Sequence, residues 1–497
     1  MRRRDVLARL GAGACLAMGL ADDLVGTAFA KGKADAARVT GPVEGGKHGW
    51  PFSAYFGGVE NFGYIEEEYF IDGEATSYRP VGELGPDGRW KLEAAGKGPY
   101  KTRILVRRPA DPAKFNGTVI VEWLNVSSGH DIALVGEGQF EGFAYVGVSN
   151  QHVGIHGFEK NPIGLKAWDP DRYGSLFLSS ESLCYDIFTQ AAHAVGPRRS
   201  KQNVDPLAGL EVRKVIATGG SQSAAKLLSY INGVQPISGT FDAIVPTIGA
   251  GNVSGFGDFI FDFSTPERIA QVMNSLRSQA RVRDDLSIPV MLVNSESETI
   301  AYYGNRQPDT DKFRYWEVAG SSHGPAPMVR ALNHMLERDG ITPSVIAQAG
   351  EKTGIASSEI DWSPVADAAF VRVHEWINGG APPPNQSPIE IIPGTIPTIA
   401  RDPLGNAIGG VRPPEIEVPI ACNVGNVPGV PALAGLGGGT TPFSMEELKR
   451  LYPTKADYVG KVTAAAISAE KSGVILPKEA RKYISEANAM TFSFWAE

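Results

Sequence analysis

The sequence predicts an α/β fold: a mainly parallel central sheet flanked by helices, with antiparallel strands at its N-terminal edge and a C-terminal wrap. Three observations carry this. Apolar runs recur along the chain with helical or loop-length stretches between them, at 119–121, 144–148, 215–217, 241–245, 288–293 and 313–318. Several are continuously apolar rather than alternating, the pattern of strands buried on both faces. One of them, Val215-Ile216-Ala217, leads through Gly219-Gly220 to Ser221 and then straight into a helix-like run at 224–230.

Composition sets the bounds. The chain has 497 residues, 42% hydrophobic and 21% charged, as in an ordinary globular protein. A net charge of −8 argues against nucleic acid or an anionic membrane as the main partner. No apolar run is long enough to span a bilayer. Residues 1–30 read as a signal peptide: Arg2-Arg3-Arg4, a Gly/Ala-rich apolar stretch at 10–20, then Ala28-Phe29-Ala30 as a cleavage site. Paired arginines before a weakly hydrophobic core are similar to a twin-arginine export signal and imply a bacterial periplasmic or secreted location. The alternative is an unprocessed N-terminal helix.

The remaining elements follow in order. Residues 31–50 form a linker, and 51–380 the core with its insertions. Tyr64-Ile65-Glu66-Glu67-Glu68-Tyr69-Phe70-Ile71 and Arg103-Ile104-Leu105-Val106 are the opening antiparallel strands. The strand at 117–123 ends in the polar loop 124–129. A helix at 179–195 carries Leu183, Ile187, Phe188 and Ala191 on one face. Another helix spans 366–378 and stops at Gly379-Gly380. The Pro/Gly-rich stretch 381–440 is expected to wrap over the body. Residues 441–497 form a helical extension of the same domain, opened by Ser444 as N-cap with Glu447 three residues on. Cys184 and Cys422 either pair in an oxidising compartment or remain separate buried thiols.

The strand–glycine–serine–helix order is that of a nucleophile elbow, which lifts one hydroxyl above the sheet beside a helix N-terminus. A serine needs a base, because its hydroxyl is not ionised near neutral pH. Among eight histidines, His323 follows the strand at 313–318 on a small flexible loop, Ala319-Gly320-Ser321-Ser322-His323. His334, His374 and His193 fall on helical patterns. His130, His152 and His156 lie on loops after strands, and His130 and His152 are candidate pocket residues. The acid that orients the imidazole should follow the preceding strand, in Asn294-Ser295-Glu296-Ser297-Glu298-Thr299. Glu298 is preferred because it lies further past the strand end; Glu296 is the second choice.

These residues resemble the α/β-hydrolase superfamily. The segment Gly219-Gly220-Ser221-Gln222-Ser223 is similar to the cutinase elbow, departing from it by Ser223 in the usual glycine place. From about residue 50 to 490 the chain more closely resembles the bacterial alpha/beta hydrolase domain proteins, through the run 116–126, the elbow, 319–323 and the run 401–412. The resemblance implies Ser221 as nucleophile, the Gln222 backbone N–H in the oxyanion hole, and a second N–H from Leu124 or Asn125. Trp123, at the strand end, either floors an acyl pocket or simply packs. Together these readings predict a serine hydrolase acting on a small-molecule ester through an acyl-enzyme on Ser221. The alternatives are a peptidase or amidase with the same triad, or a non-catalytic binding protein on the same body. No cofactor is called for: no Cys/His spacing suggests zinc, and no phosphate-binding loop follows Gly219-Gly220.

Overall fold

The computed structural model describes residues 37–199, 204–342, 355–427 and 434–495. The expected leader at 1–30 lies outside them. Ten strands form one sheet: β1 (Arg38–Thr40), β2 (Tyr64–Pro80), β3 (Leu92–Pro109), β4 (Thr118–Trp123), β5 (Ala144–Val148), β6 (Phe177–Leu178), β7 (Lys214–Gly220), β8 (Ala243–Thr247), β9 (Val290–Ser295) and β10 (Phe313–Val318). Their order is β1-β2-β3-β5-β4-β7-β8-β9-β10, with β6 paired to β3. From β5 to β10 every pairing is parallel; β1, β2 and β3 enter antiparallel. The predicted α/β class, with its antiparallel N-terminal edge, is therefore the observed one.

Two-sided burial explains the continuous apolar runs. In β4, Val119, Val121 and Trp123 enter the core on one face while Ile120 enters that on the other. β7 repeats this with Val215 and Ala217 against Ile216, and β9 with Val290 and Leu292 against Met291 and Val293. Successive side chains point to opposite faces, so a strand covered on both sides must be apolar at each position. One face is covered by α1 (Cys184–Val195) and α2 (Gln222–Ser229), through residues such as Ile187, Phe188 and Leu227. The other carries α4 (Ser363–Ile377), after α3 (Ala326–Arg338) in the chain, together with α5 (Met445–Leu451), α6 (Lys455–Lys471) and α7 (Pro477–Ala489). Leu448, Val462, Ala466 and Tyr483 from this C-terminal group belong to the same core cluster as Ile216 and Trp316. Ser444 caps α5 by accepting the Glu447 N–H at 3.1 Å.

The described residues of 381–440 run as loops with a single helical turn at Pro414–Glu417 and strands of two small antiparallel ribbons, Ile391–Ile392 with Thr398–Ile399 and Ala421–Val424 with Gly439–Pro442. It is stitched to the end of β10, where Ala319 N–H donates to Val411 O (2.9 Å) and Val411 N–H to Glu317 O (2.6 Å). Cys184 and Cys422 are both free thiols, the first buried and the second half-buried.

Candidate active site

Ser221, Glu298 and His323 follow the C-terminal ends of β7, β9 and β10, the edge where open α/β sheets place their ligand crevices. The turn from β7 into α2 holds Ser221 at φ 60°, ψ −118°, a conformation that side chains rarely adopt and that surrounding structure must impose. Its N–H donates to Thr247 O at the end of β8 (3.1 Å). Gly219 allows the close crossing of strand and helix: a Cβ there would meet Ser223 Cβ at 3.1 Å and Trp123 Cβ at 3.2 Å. The missing Cβ at 219 thus makes room for the one at 223. The Ser223 hydroxyl uses that room, donating to Leu124 O at 3.1 Å and tying the elbow to the loop after β4.

The Ser221 Oγ lies 2.8 Å from His323 Nε2, and His323 Nδ1 lies 2.7 Å from Glu298 Oε1. The second Glu298 oxygen accepts the Ser295 N–H (2.9 Å) and hydroxyl (2.6 Å), closing a capping box on the turn at Glu296–Glu298. The carboxylate is thereby fixed in rotation with one oxygen left for the imidazole. The His323 N–H donates to Ser297 Oγ (2.9 Å), so the acid loop also sets the backbone of the histidine loop.

Glu296 does something else. It is fully buried, and its hydrogen bonds go to residues other than His323. Its oxygens accept the Gly320 N–H (2.7 Å), the Gly425 N–H (3.0 Å) and the Arg401 guanidinium (2.6 Å). Two loops and the C-terminal wrap thus meet on one carboxylate. The Gly425 backbone comes so close that a Cβ would lie 2.6 Å from Ser297 N. Arg401 was visible in the sequence only as part of the run 401–412.

The expectations for the oxyanion side need correcting. At the N-terminus of α2 the Gln222 N–H stands in the first turn, where a helix has no partner of its own to offer. The Leu124 and Asn125 amides, however, are already spent. Leu124 N–H donates to Val148 O (3.4 Å), and Asn125 N–H to Ile132 O (3.0 Å) within a β-bridge that folds the loop back on itself. Asn125 instead braces the elbow through its side chain, Nδ2 donating to Gly220 O (3.0 Å). The sequence reading missed Gln151, which pairs with the Gln222 side chain just behind the elbow.

A cleft of about 680 Å³, counting its open mouth, begins at Ser221 and His323. Its lining includes the loop residues Ile132 and Leu134 and, spaced four apart on α3, Met328, Leu332 and Leu336. The backbone N–H of Leu134 donates to Glu122 (2.7 Å), whose buried carboxyl also accepts the Tyr145 hydroxyl (2.6 Å). Burial pushes the Glu122 carboxyl up to about 7. His130 lines this cleft. Trp123 does not: it is packed in the core against Tyr185 and Phe188, because its strand position points to the α1 face. His152 lies in a different cleft, stacked on His156 with ring centroids 4.3 Å apart and beside Asp262 and Arg268. Burial lowers both histidines, His156 to about 4.

The fold and this crevice define an α/β hydrolase. The family model described as alpha/beta hydrolase domain matches residues 39–485, and the chain belongs to that family. Among solved structures it is similar to prolyl oligopeptidase B from Galerina marginata, at 12% identity over 50% of this chain and 38% of that one, TM-score 0.23. It is also similar to oligopeptidase B from Leishmania major (10% identity, 52% and 33% covered, TM-score 0.26). A third likeness is to a glucuronoyl esterase from Solibacter usitatus (11% identity, 57% and 81% covered, TM-score 0.26). The chain spans well under half the length of the two oligopeptidases. No curated protein matches it in sequence.

Proposed function

We propose that the protein is a serine hydrolase that cleaves carboxylic esters of small molecules through an acyl-enzyme on Ser221. The observation that carries this reading is the unbroken relay Ser221 Oγ–His323–Glu298, at 2.8 and 2.7 Å, on a serine held at positive φ. His323 Nε2 takes the Ser221 proton as Oγ attacks the ester carbonyl, and returns it to the departing alcohol. Glu298 holds Nδ1–H and stabilises the imidazolium that forms in between. The Gln222 N–H, at the positive end of α2, donates to the oxyanion. Water then repeats the sequence on the acyl-enzyme and frees the acid. Esters are the favoured substrates over amides because an alkoxide leaves with less help than an amide nitrogen. A fluorophosphonate probe should label the protein covalently, and Ser221→Ala should lose the label; labelling that survives this substitution would remove Ser221 from the mechanism. Export by the twin-arginine-like leader belongs to the same proposal and is read by the N-terminal sequence of secreted protein.

A further inference from the structure

The cleft beside Ser221 is lined mostly by aliphatic side chains, yet two polar side chains, His130 and Asn333, belong to the same lining. His130 is 1% exposed, and its Nδ1 lies 3.1 Å from the backbone oxygen of Asp131. A carbonyl oxygen only accepts, so Nδ1 carries the proton and Nε2 is a bare acceptor. Burial lowers the imidazole's proton affinity, which keeps the ring neutral. Among the described residues nothing donates to Nε2. The lining also includes Asn333, one residue past Leu332 on α3, whose buried Oδ1 is without a partner. A buried acceptor left unpaired, as Asn333 Oδ1 is, is costly and in native structures asks for an explanation. Within a ligand cleft the simplest one is a donor on the ligand, since such sites combine an apolar lining with a few placed polar groups.

We propose that the substrate group seated in this cleft is an apolar chain bearing a hydroxyl or other hydrogen-bond donor, which donates to His130 Nε2 or Asn333 Oδ1. This rests on the ester hydrolase reading. It selects a hydroxylated aliphatic ester over the plain ester of equal length. A site built to pair a substrate hydroxyl rejects the analogue that lacks it far more strongly than an apolar pocket rejects one extra methylene.

The test compares p-nitrophenyl hexanoate with its hydroxylated forms, and hexyl acetate with hydroxyhexyl acetates, so that the donor sits on the acyl side or on the alcohol side. One series should show a preference of about tenfold or more in kcat/KM for a hydroxylated member. His130→Leu or Asn333→Leu should lower that preference. Asn333 is half-buried on α3, so its variant folds even if the His130 variant does not. Equal rates in both series, or a preference that survives both substitutions, overturn the inference while fluorophosphonate labelling of Ser221 keeps the hydrolase reading. If Ser221 is not labelled, that reading falls by itself. Calorimetric binding of methyl 6-hydroxyhexanoate against methyl hexanoate to Ser221→Ala then tests the cleft without turnover, and equal affinity overturns the inference.

Discussion

Gln151 and Gln222 exchange side-chain amide hydrogen bonds, 2.7 Å from Gln222 Nε2 to Gln151 Oε1 and 3.1 Å in return, and both residues are buried. Gln151 also donates to Leu124 O (3.2 Å), so one side chain joins the end of β5, the loop after β4 and the first residue of α2. The same Gln222 carries the backbone N–H proposed to donate to the oxyanion. Gln151→Leu should therefore cost about 1–3 kcal/mol of stability, through the unpaired Gln222 amide. It should also lower kcat on p-nitrophenyl butyrate with KM little changed. Denaturant unfolding and steady-state kinetics check the two halves; a pure KM effect would place Gln151 in binding instead.

The two glutamates of the acid loop should separate cleanly. Glu298→Gln keeps the shape but loses the charge that faces His323 Nδ1, and kcat should fall by about 10²–10⁴. Glu296→Gln should leave kcat within about threefold. Because it disturbs the acceptor of Gly320, Gly425 and Arg401, it should instead lower stability by about 1–3 kcal/mol. Matched kcat and thermal melts on the two variants are the measurement, and the reverse pattern would reassign the acid.

The Ser223 hydroxyl should matter for stability more than for chemistry. Ser223→Ala removes the bond to Leu124 O and should cost about 1 kcal/mol. Gly219→Ala should be worse, since its Cβ would press on Ser223, Leu227 and Trp123 at once. Urea midpoints for the two variants give the comparison.

Stability should fall with rising pH through Asp367. This α4 residue is 3% exposed, and burial first of all raises its carboxyl to about 8, with Lys478 opposing the shift. An unfolded aspartate releases its proton near pH ~4. The folded state therefore holds one more proton between about pH 4 and 8, and unfolding becomes easier across that window as pH rises. Asp367→Asn should flatten this slope, gaining most at pH 9 and least at pH 4. A melting series across that range reads the difference.

Much of this was legible in the sequence for identifiable reasons. Strands buried on two faces announce themselves as runs such as Val119-Ile120-Val121, and a serine between Gly220 and a helix announces a turn. Ser221, Glu298 and His323, which the structure brings within hydrogen-bond distance of one another, each lie just past such a run. What the sequence hid were pairings over long separations and the fate of individual amides. Nothing local to Glu296 points to Arg401, 105 residues on. Nothing in Leu124-Asn125 shows that a bridge to Ile132 consumes the amide of Asn125. The side of β4 to which Trp123 points was in principle readable from the alternation with Ile120. The wrap at 381–440 has no periodicity because many of its backbone bonds go to loops and strand ends, and its own ribbons are only two and four residues long.

The brace on Glu296 has a consequence for how the protein is made. Ser221, Glu298 and His323 have all emerged from the ribosome before Arg401 and Gly425 exist, so a nascent chain can complete its sheet while the acid and histidine loops still lack their shared clasp. The clasp on Glu296 then closes late in synthesis, together with the C-terminal helices whose Leu448, Val462, Ala466 and Tyr483 complete the core on one face of the sheet.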